Sequence, residues 1–238
     1  MAIRQYLAMT AAEFHHGCLP SGPVGWLSCL FSPYGTGLSN LPKALPEGAL
    51  LILSDLTPMR GHDGDRITLQ LQETVNAFRC CGVLLDFQRP RQEALAALAQ
   101  QLSQALPCPV AVSEPYGDDL KSAVFLPPIP PGTAPDRHLA PWQGREIWLE
   151  LSREGEQIIL TEDGAKSSPL PPLPEDFPGF PEGNLHCHYR IETSESKAVF
   201  TLWRTKQDQE DLLNEAQALG VTTAVGLWQE LRTHIGRG

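Results

Sequence analysis

Short apolar runs, each bounded by Gly, Pro or polar turn residues, recur along the whole chain: Gln5–Met9, Trp26–Phe31, Ala49–Leu53, Gly82–Leu85, Val110–Val112, Ala123–Leu126, Ile147–Leu151, Ala198–Trp203 and Thr223–Trp228. Most are continuous rather than alternating. Continuous runs suit strands buried on both faces, the pattern of a parallel sheet covered by helices. Three helices are legible between them. Ile67, Leu71, Val75 and Phe78 share one face of a segment opened by His62 to Asp65; Leu95, Leu98, Ala99, Leu102 and Leu106 stripe the segment from Arg91 to Pro107. Leu212, Leu213, Ala216 and Leu219 stripe a third, with Thr205 as N-cap and Gly220 just past its end.

Repeated strand, helix, strand with about eight strands predicts an α/β fold, a TIM-like (β/α)₈ barrel. The links 14–25, 32–48 and 115–122 show no helical period, so some outer helices are expected to be missing or shortened. Between residues 146 and 200 the pattern changes. Hairpin-like segments flank Arg153 to Glu156 and Thr193 to Ser196, and the Pro-rich run Ser168 to Pro181 lies between them. The expectation is one barrel domain over 1–238, with a small antiparallel and Pro-rich insertion at 146–200.

Charge narrows the partners. With 18 Lys+Arg against 28 Asp+Glu the net charge is -10, which argues against nucleic acid, whose binders cluster cations. No apolar run reaches the roughly 18 residues that span a bilayer, and the Met1 to Tyr6 start lacks the basic and apolar regions of a leader. The expectation is a cytoplasmic protein, with its six cysteines reduced and no membrane partner.

In a parallel barrel the site lies at the carboxyl ends of the strands, so polar residues just after the apolar runs are the informative ones. They are Glu13, Ser32 with Tyr34, Asp55, Asp86 with Gln88, Glu114 with Tyr116, Glu150, and Gln229 with Glu230. Carboxylates and aromatic faces around one mouth suit a sugar. Polar residues also begin loops for no chemical reason, and Asp86 and Glu114 could equally form a buried network that holds the barrel top.

Cys81-Gly-Val-Leu-Leu-Asp-Phe-Gln88 resembles the fourth-strand motif of glycoside hydrolase family 18, the chitinase-like barrels, which runs Asp-Gly-x-Asp-x-Asp-x-Glu. Gly82 and Asp86 match, and Phe87 holds a usually aromatic position. Cys81 and Leu84 replace the first two Asp, and Gln88 stands where the catalytic Glu belongs. Ala218 to Glu230 looks like the family's last helix-to-strand passage, and the resemblance implies that Trp228 floors a sugar pocket. Thr201 to Glu210 falls where that family re-enters the barrel after an inserted excursion.

The departures bear on chemistry. In the family the Glu protonates the leaving oxygen while the substrate's N-acetyl group acts as nucleophile; a carboxamide donates no such proton, and loss of a general acid costs roughly 10²–10⁴-fold. The family's sixth-strand Met-x-Tyr-Asp is also absent, Val124 to Pro128 offering neither hydroxyl nor carboxylate. Gln88 still donates and accepts. The resemblance therefore implies a barrel that binds an N-acetylglucosamine-type glycan without family hydrolysis, through Gln88 and Trp228, with the strand-end residues Glu230, Tyr34, Tyr116, Asp55 and Glu13 as further expected contacts. One alternative is a glycosidase using another carboxylate pair, with Asp86 and Glu114 as catalytic residues and Glu150 and Glu230 as further strand-end carboxylates. A second is an interaction or scaffold protein contacting partners through Ser168 to Pro181.

Other chemistries find little support. His186-Cys-His188 and His15-His16 contain zinc-ligand types, but adjacent and i, i+2 spacings match structural zinc pairs poorly. No Gly-x-Ser-x-Gly, Gly-x-Gly-x-x-Gly or phosphate loop occurs, so neither a serine hydrolase nor a nucleotide cofactor is expected, and no metal or other cofactor is assigned.

Overall fold

The computed structural model describes residues 2–16, 19–34, 36–59, 63–119 and 121–232. Eight parallel strands close into a barrel: β1 (Arg4–Met9), β2 (Val24–Phe31), β4 (Leu50–Ser54), β5 (Gly82–Asp86), β6 (Val110–Ser113), β7 (Ala123–Leu126), β8 (Ile147–Leu151) and β14 (Val221–Leu227). Closure comes from β1, which pairs in parallel with both β14 and β2. A two-residue strand, β3 (Leu38–Ser39), adds antiparallel to β2.

The continuous apolar runs follow from burial on both faces. In β4, Leu50 and Ile52 enter the lumen while Leu51 and Leu53 pack outward under the helices. The lumen is solid. Tyr6, Ala8, Leu50, Ile52, Leu84, Phe125, Trp148 and Val225 fill it, and the Trp148 ring reaches across to Gly82, where a Cβ would stand 2.9 Å from it and 3.2 Å from the Pro109 carbonyl. That approach accounts for glycine at position 82.

Among the described residues, three helices of ordinary length cover the outside: α2 (Gly64–Phe78), α3 (Glu93–Ala105) and α5 (Lys206–Ala218). Asp63 caps α2 through the Arg66 amide, and Thr205 caps α5 in a reciprocal capping box with Asp208. Gly220, at φ 106°, takes the left-handed position after α5. Elsewhere the outer layer is vestigial: α1 (Ala11–His16), a 3₁₀ turn at Glu114–Asp119, α4 (Pro135–Leu139), a second 3₁₀ turn at Ala140–Trp142 and α6 (Trp228–Leu231).

Between β8 and α5 the chain forms a separate antiparallel sheet in the order β10 (Gly164–Leu170), β9 (Gly155–Thr161), β13 (Lys197–Trp203), β12 (Cys187–Thr193), β11 (Phe180–Glu182). Two sequence expectations are corrected here. Residues 147–151 are a barrel strand rather than half of a hairpin, because β8 pairs with β7 and β14, and the hairpin partner of β9 is β10. The Ala198 to Trp203 run belongs to the inserted sheet, not the barrel. The Pro-rich run is partly strand, Pro169 lying in the edge strand β10.

Buried Arg204 fastens this sheet to the barrel. Its guanidinium donates to the carbonyls of Ile129, Pro130 (3.1 Å), Leu185 (3.4 Å) and His186 (3.0 Å). Burial lowers its pKa to about 10, which still leaves it charged. His186 Nε2, just before β12, meets Glu215 at 2.6 Å and His188 Nδ1 on β12 meets Asp208 at 2.8 Å, tying this edge of the sheet to α5. No described helix is long and apolar enough to cross a membrane.

Candidate functional site

The alternation along β5 places Gly82, Leu84 and Asp86 in the lumen and turns Val83, Leu85 and Phe87 outward. Just past the strand end, the exposed Gln88 donates from Nε2 to Asp86 Oδ2 at 3.0 Å. The backbone holding Gln88 is fixed from below. Asp55, 1% exposed, accepts the Gln88 amide at 2.9 Å on Oδ1 and the Arg89 amide at 3.1 Å on Oδ2. Ser113 on β6 adds a second tether, accepting the Phe87 amide at 2.9 Å and donating to the Leu85 carbonyl at 3.1 Å.

Alternation along β8 likewise sends Trp148 and Glu150 inward. Asp86 and Glu150 are the polar side chains of an apolar nook of about 40 Å³ at the top of the lumen, walled by Ala8, Leu27, Leu84, Phe125 and Leu227 among others. Burial and then the nearby Asp55 charge push the Asp86 carboxyl up to about 6 against the Gln88 hydrogen bond. Burial, followed by the charges of Asp86, Glu230 and Glu154, pushes Glu150 up to about 7. Glu230 accepts from Ser152 Oγ at 3.3 Å and the Arg153 amide at 3.5 Å, bridging α6 to the loop after β8.

The mouth therefore gathers Asp55, Asp86, Gln88, Glu150 and Glu230, and leaves other expected residues aside. Glu114 opens an exposed 3₁₀ turn because β6 ends one residue earlier, and it is not among the charges acting on Asp86 or Glu150. The carboxyl facing Asp86 is Glu150. Tyr116 is wholly buried in the outer layer, edge-on to Phe87 at 5.5 Å, with its hydroxyl accepting the Gln92 amide at 3.1 Å. It has no face for a sugar. Trp228 packs outward beside the cluster of Leu7, Leu151 and Leu213 and near Met9, since β14 alternation gives the lumen position to Leu227. Glu13 accepts from the Thr10 amide at 2.7 Å and its hydroxyl at 2.9 Å, capping α1, and Tyr34 is 98% exposed on the loop after β2.

Sequence reasoning missed Ser113 and the anchoring role of Asp55. It named Glu150 as a strand-end carboxylate but paired Asp86 with Glu114, although the parity of Trp148 and Glu150 along a strand signals a shared face. No group of three or more metal-ligating side chains occurs among the described residues. His186 and His188 each bond a carboxylate of α5, and the side chain of His16 lies outside the described residues.

A closed parallel barrel with its polar cluster at the strand carboxyl ends and an antiparallel insertion between the last two strands is a TIM-barrel fold, one that solved chitinase structures share. The matches extend over 94–100% of this chain. A family 18 chitinase from Cycas revoluta, crystallised as a double mutant with (GlcNAc)₄, superposes with a TM-score of 0.61 at 10% identity, over 98% of this chain and 97% of that one. Chitinase from Chromobacterium violaceum gives 0.57 at 11% identity over 100% of both chains. The spore cortex-lytic enzyme SleL of Bacillus megaterium gives 0.57 at 11% identity, over 94% of this chain and 70% of that one. No family model and no curated protein matches the sequence.

Proposed function

We propose that the barrel mouth binds an N-acetylglucosamine-type glycan and does not cleave it by the family mechanism. The observation that carries this reading is Gln88 at the mouth, where it donates from Nε2 to Asp86 at 3.0 Å; by the strand-four resemblance it stands at the motif position of the catalytic Glu. An amide has no acidic proton for a leaving oxygen, yet both its ends serve a bound hydroxyl or amide. The Cycas revoluta chitinase that holds (GlcNAc)₄ carries a Glu-to-Gln change among its two substitutions, an arrangement consistent with binding without turnover.

Calorimetry with N-acetylglucosamine tetramer and peptidoglycan fragments tests the reading. Heat of binding with no reducing ends released is the expected result for the wild type. Folded protein that gives no heat with any of these sugars would refute it. In Gln88→Glu the general acid returns beside Asp86, and a trace of tetramer cleavage above the wild-type background is expected.

One observation favours a second reading. Asp86 and Glu150 share the nook, so a hydrolase working through its own pair would use these two rather than Asp86 and Glu114. Wild-type turnover of a chromogenic glycoside, abolished in Glu150→Gln and intact in Glu114→Gln, would establish it.

A further inference from the structure

At the amino ends of the strands, away from the mouth, a hollow of about 420 Å³ opens below the packed lumen. That volume falls within the roughly 300–1,000 Å³ of small-molecule pockets. Its base is apolar, made by the Trp148 indole, the Tyr6 ring and Leu50. Its rim is polar for a reason of strand parity. The alternation that turns Tyr6, Trp148 and Val225 into the lumen also turns Arg4, Glu146 and Thr223 inward, two residues earlier in each segment.

These rim groups hold bonding capacity that the protein does not use. Arg4 makes no ion pair among the described residues, and its charge acts on the Tyr6 hydroxyl and the Cys81 thiol in the wall of the hollow. Glu146 Oε1 accepts from the Trp148 indole N–H at 3.0 Å and from the Thr222 hydroxyl at 3.0 Å, which fixes the carboxylate, while its Oε2 accepts from no described residue. Thr223 is 5% exposed and lines the hollow, yet its hydroxyl has no hydrogen-bond partner among the described residues. Leaving a buried hydroxyl unbonded is costly, and a ligand in the hollow would satisfy it. Arg4 and Thr223 are register partners across β1 and β14, so guanidinium and hydroxyl flank one spot.

We infer that this hollow is a second binding site, for a free α-amino acid with a large apolar side chain. Arg4 and Thr223 take the carboxylate, Glu146 Oε2 takes the ammonium, and Trp148, Tyr6 and Leu50 receive the side chain. A cation and an anion on one rim, not paired with each other, select a dipolar ligand. A simple anion gains from Arg4 and is repelled by Glu146, and a simple amine meets the reverse. The site stands whether or not the mouth binds a glycan.

Titration calorimetry at neutral pH with phenylalanine, phenylpropanoate and phenylethylamine tests this, the last two each lacking one charge of the first. Phenylalanine is expected to bind wild type at least about tenfold more tightly than either, the loss of one hydrogen bond to a charged group. Arg4→Met is expected to weaken phenylalanine by a similar factor. Glu146→Gln keeps an acceptor for Trp148 and Thr222; it is expected to weaken phenylalanine and to bind phenylpropanoate more tightly than wild type does, a crossover that loss of structure would not produce. Folded wild type that binds no phenylalanine, equal affinity for the three compounds, or phenylalanine binding unchanged in both variants would each overturn the inference.

Discussion

Asp55 shows how one buried carboxylate can shape a site through the backbone it holds. Its two oxygens hold consecutive amides of the loop that carries Gln88, and its charge helps keep Asp86 from ionising at its ordinary pH. Asp55→Ala would leave both amides without their acceptor. Hydrogen bonds to a charged group are worth roughly 1.5–3 kcal/mol each, so a loss of about 3 kcal/mol is expected, read as a lowered urea midpoint with an unchanged slope. The same variant is expected to weaken sugar binding although Asp55 is not in contact with the mouth's solvent.

At the scale of elements, strand content and the capped helices were open to sequence reasoning, since both are local. Continuous apolar runs announce strands covered on two faces, and Thr205 with Asp208 three residues on is a capping box in plain letters. Thr205→Ala is expected to cost about 1 kcal/mol and lower the melting temperature by roughly 2–4 °C. Which run joins which sheet was less legible. Ala198–Trp203 is as apolar as a barrel strand, and only its pairing with β9 and β12 places it in the insertion. The site shows the same division. Asp86 and Gln88 follow from a motif on one strand, whereas Glu150 opposite them depends on barrel closure, a long-range fact. The Tyr116 and Trp228 expectations failed on parity and layer: position after a strand tells that a residue is near the mouth but not whether it points into the lumen or under the helices.

For the molecule as a whole, the mouth carboxyls couple stability to pH. A carboxyl whose folded pKa lies above its unfolded value holds its proton more tightly when folded, so stability declines as pH rises through the interval between the two. For Glu150 that interval runs from 4.5 to about 7 and for Asp86 from 3.8 to about 6. Below about pH 4 neither carries a penalty, and above about 7 both carry it in full. Glu150→Gln is therefore expected to stabilise the protein at about pH 8 by roughly 2 kcal/mol after allowing for solvent screening, and by much less at about pH 5. Thermal melts of wild type and variant at the two pH values check this, and a gain of equal size at both would contradict the electrostatic origin.

The indole of Trp148 laid against Gly82 has a consequence for traffic. Beneath it, at the opposite end of the barrel, a second hollow of about 420 Å³ opens between Arg4, Tyr6, Cys81 and Thr223, roofed by that indole and the Tyr6 ring. The barrel is thus two cups separated by the packed side chains of the lumen, Trp148 and Tyr6 on the lower side, rather than a tube. Whatever settles in the upper cup departs by the rim it crossed on arrival, and the lower cup can neither feed nor drain it.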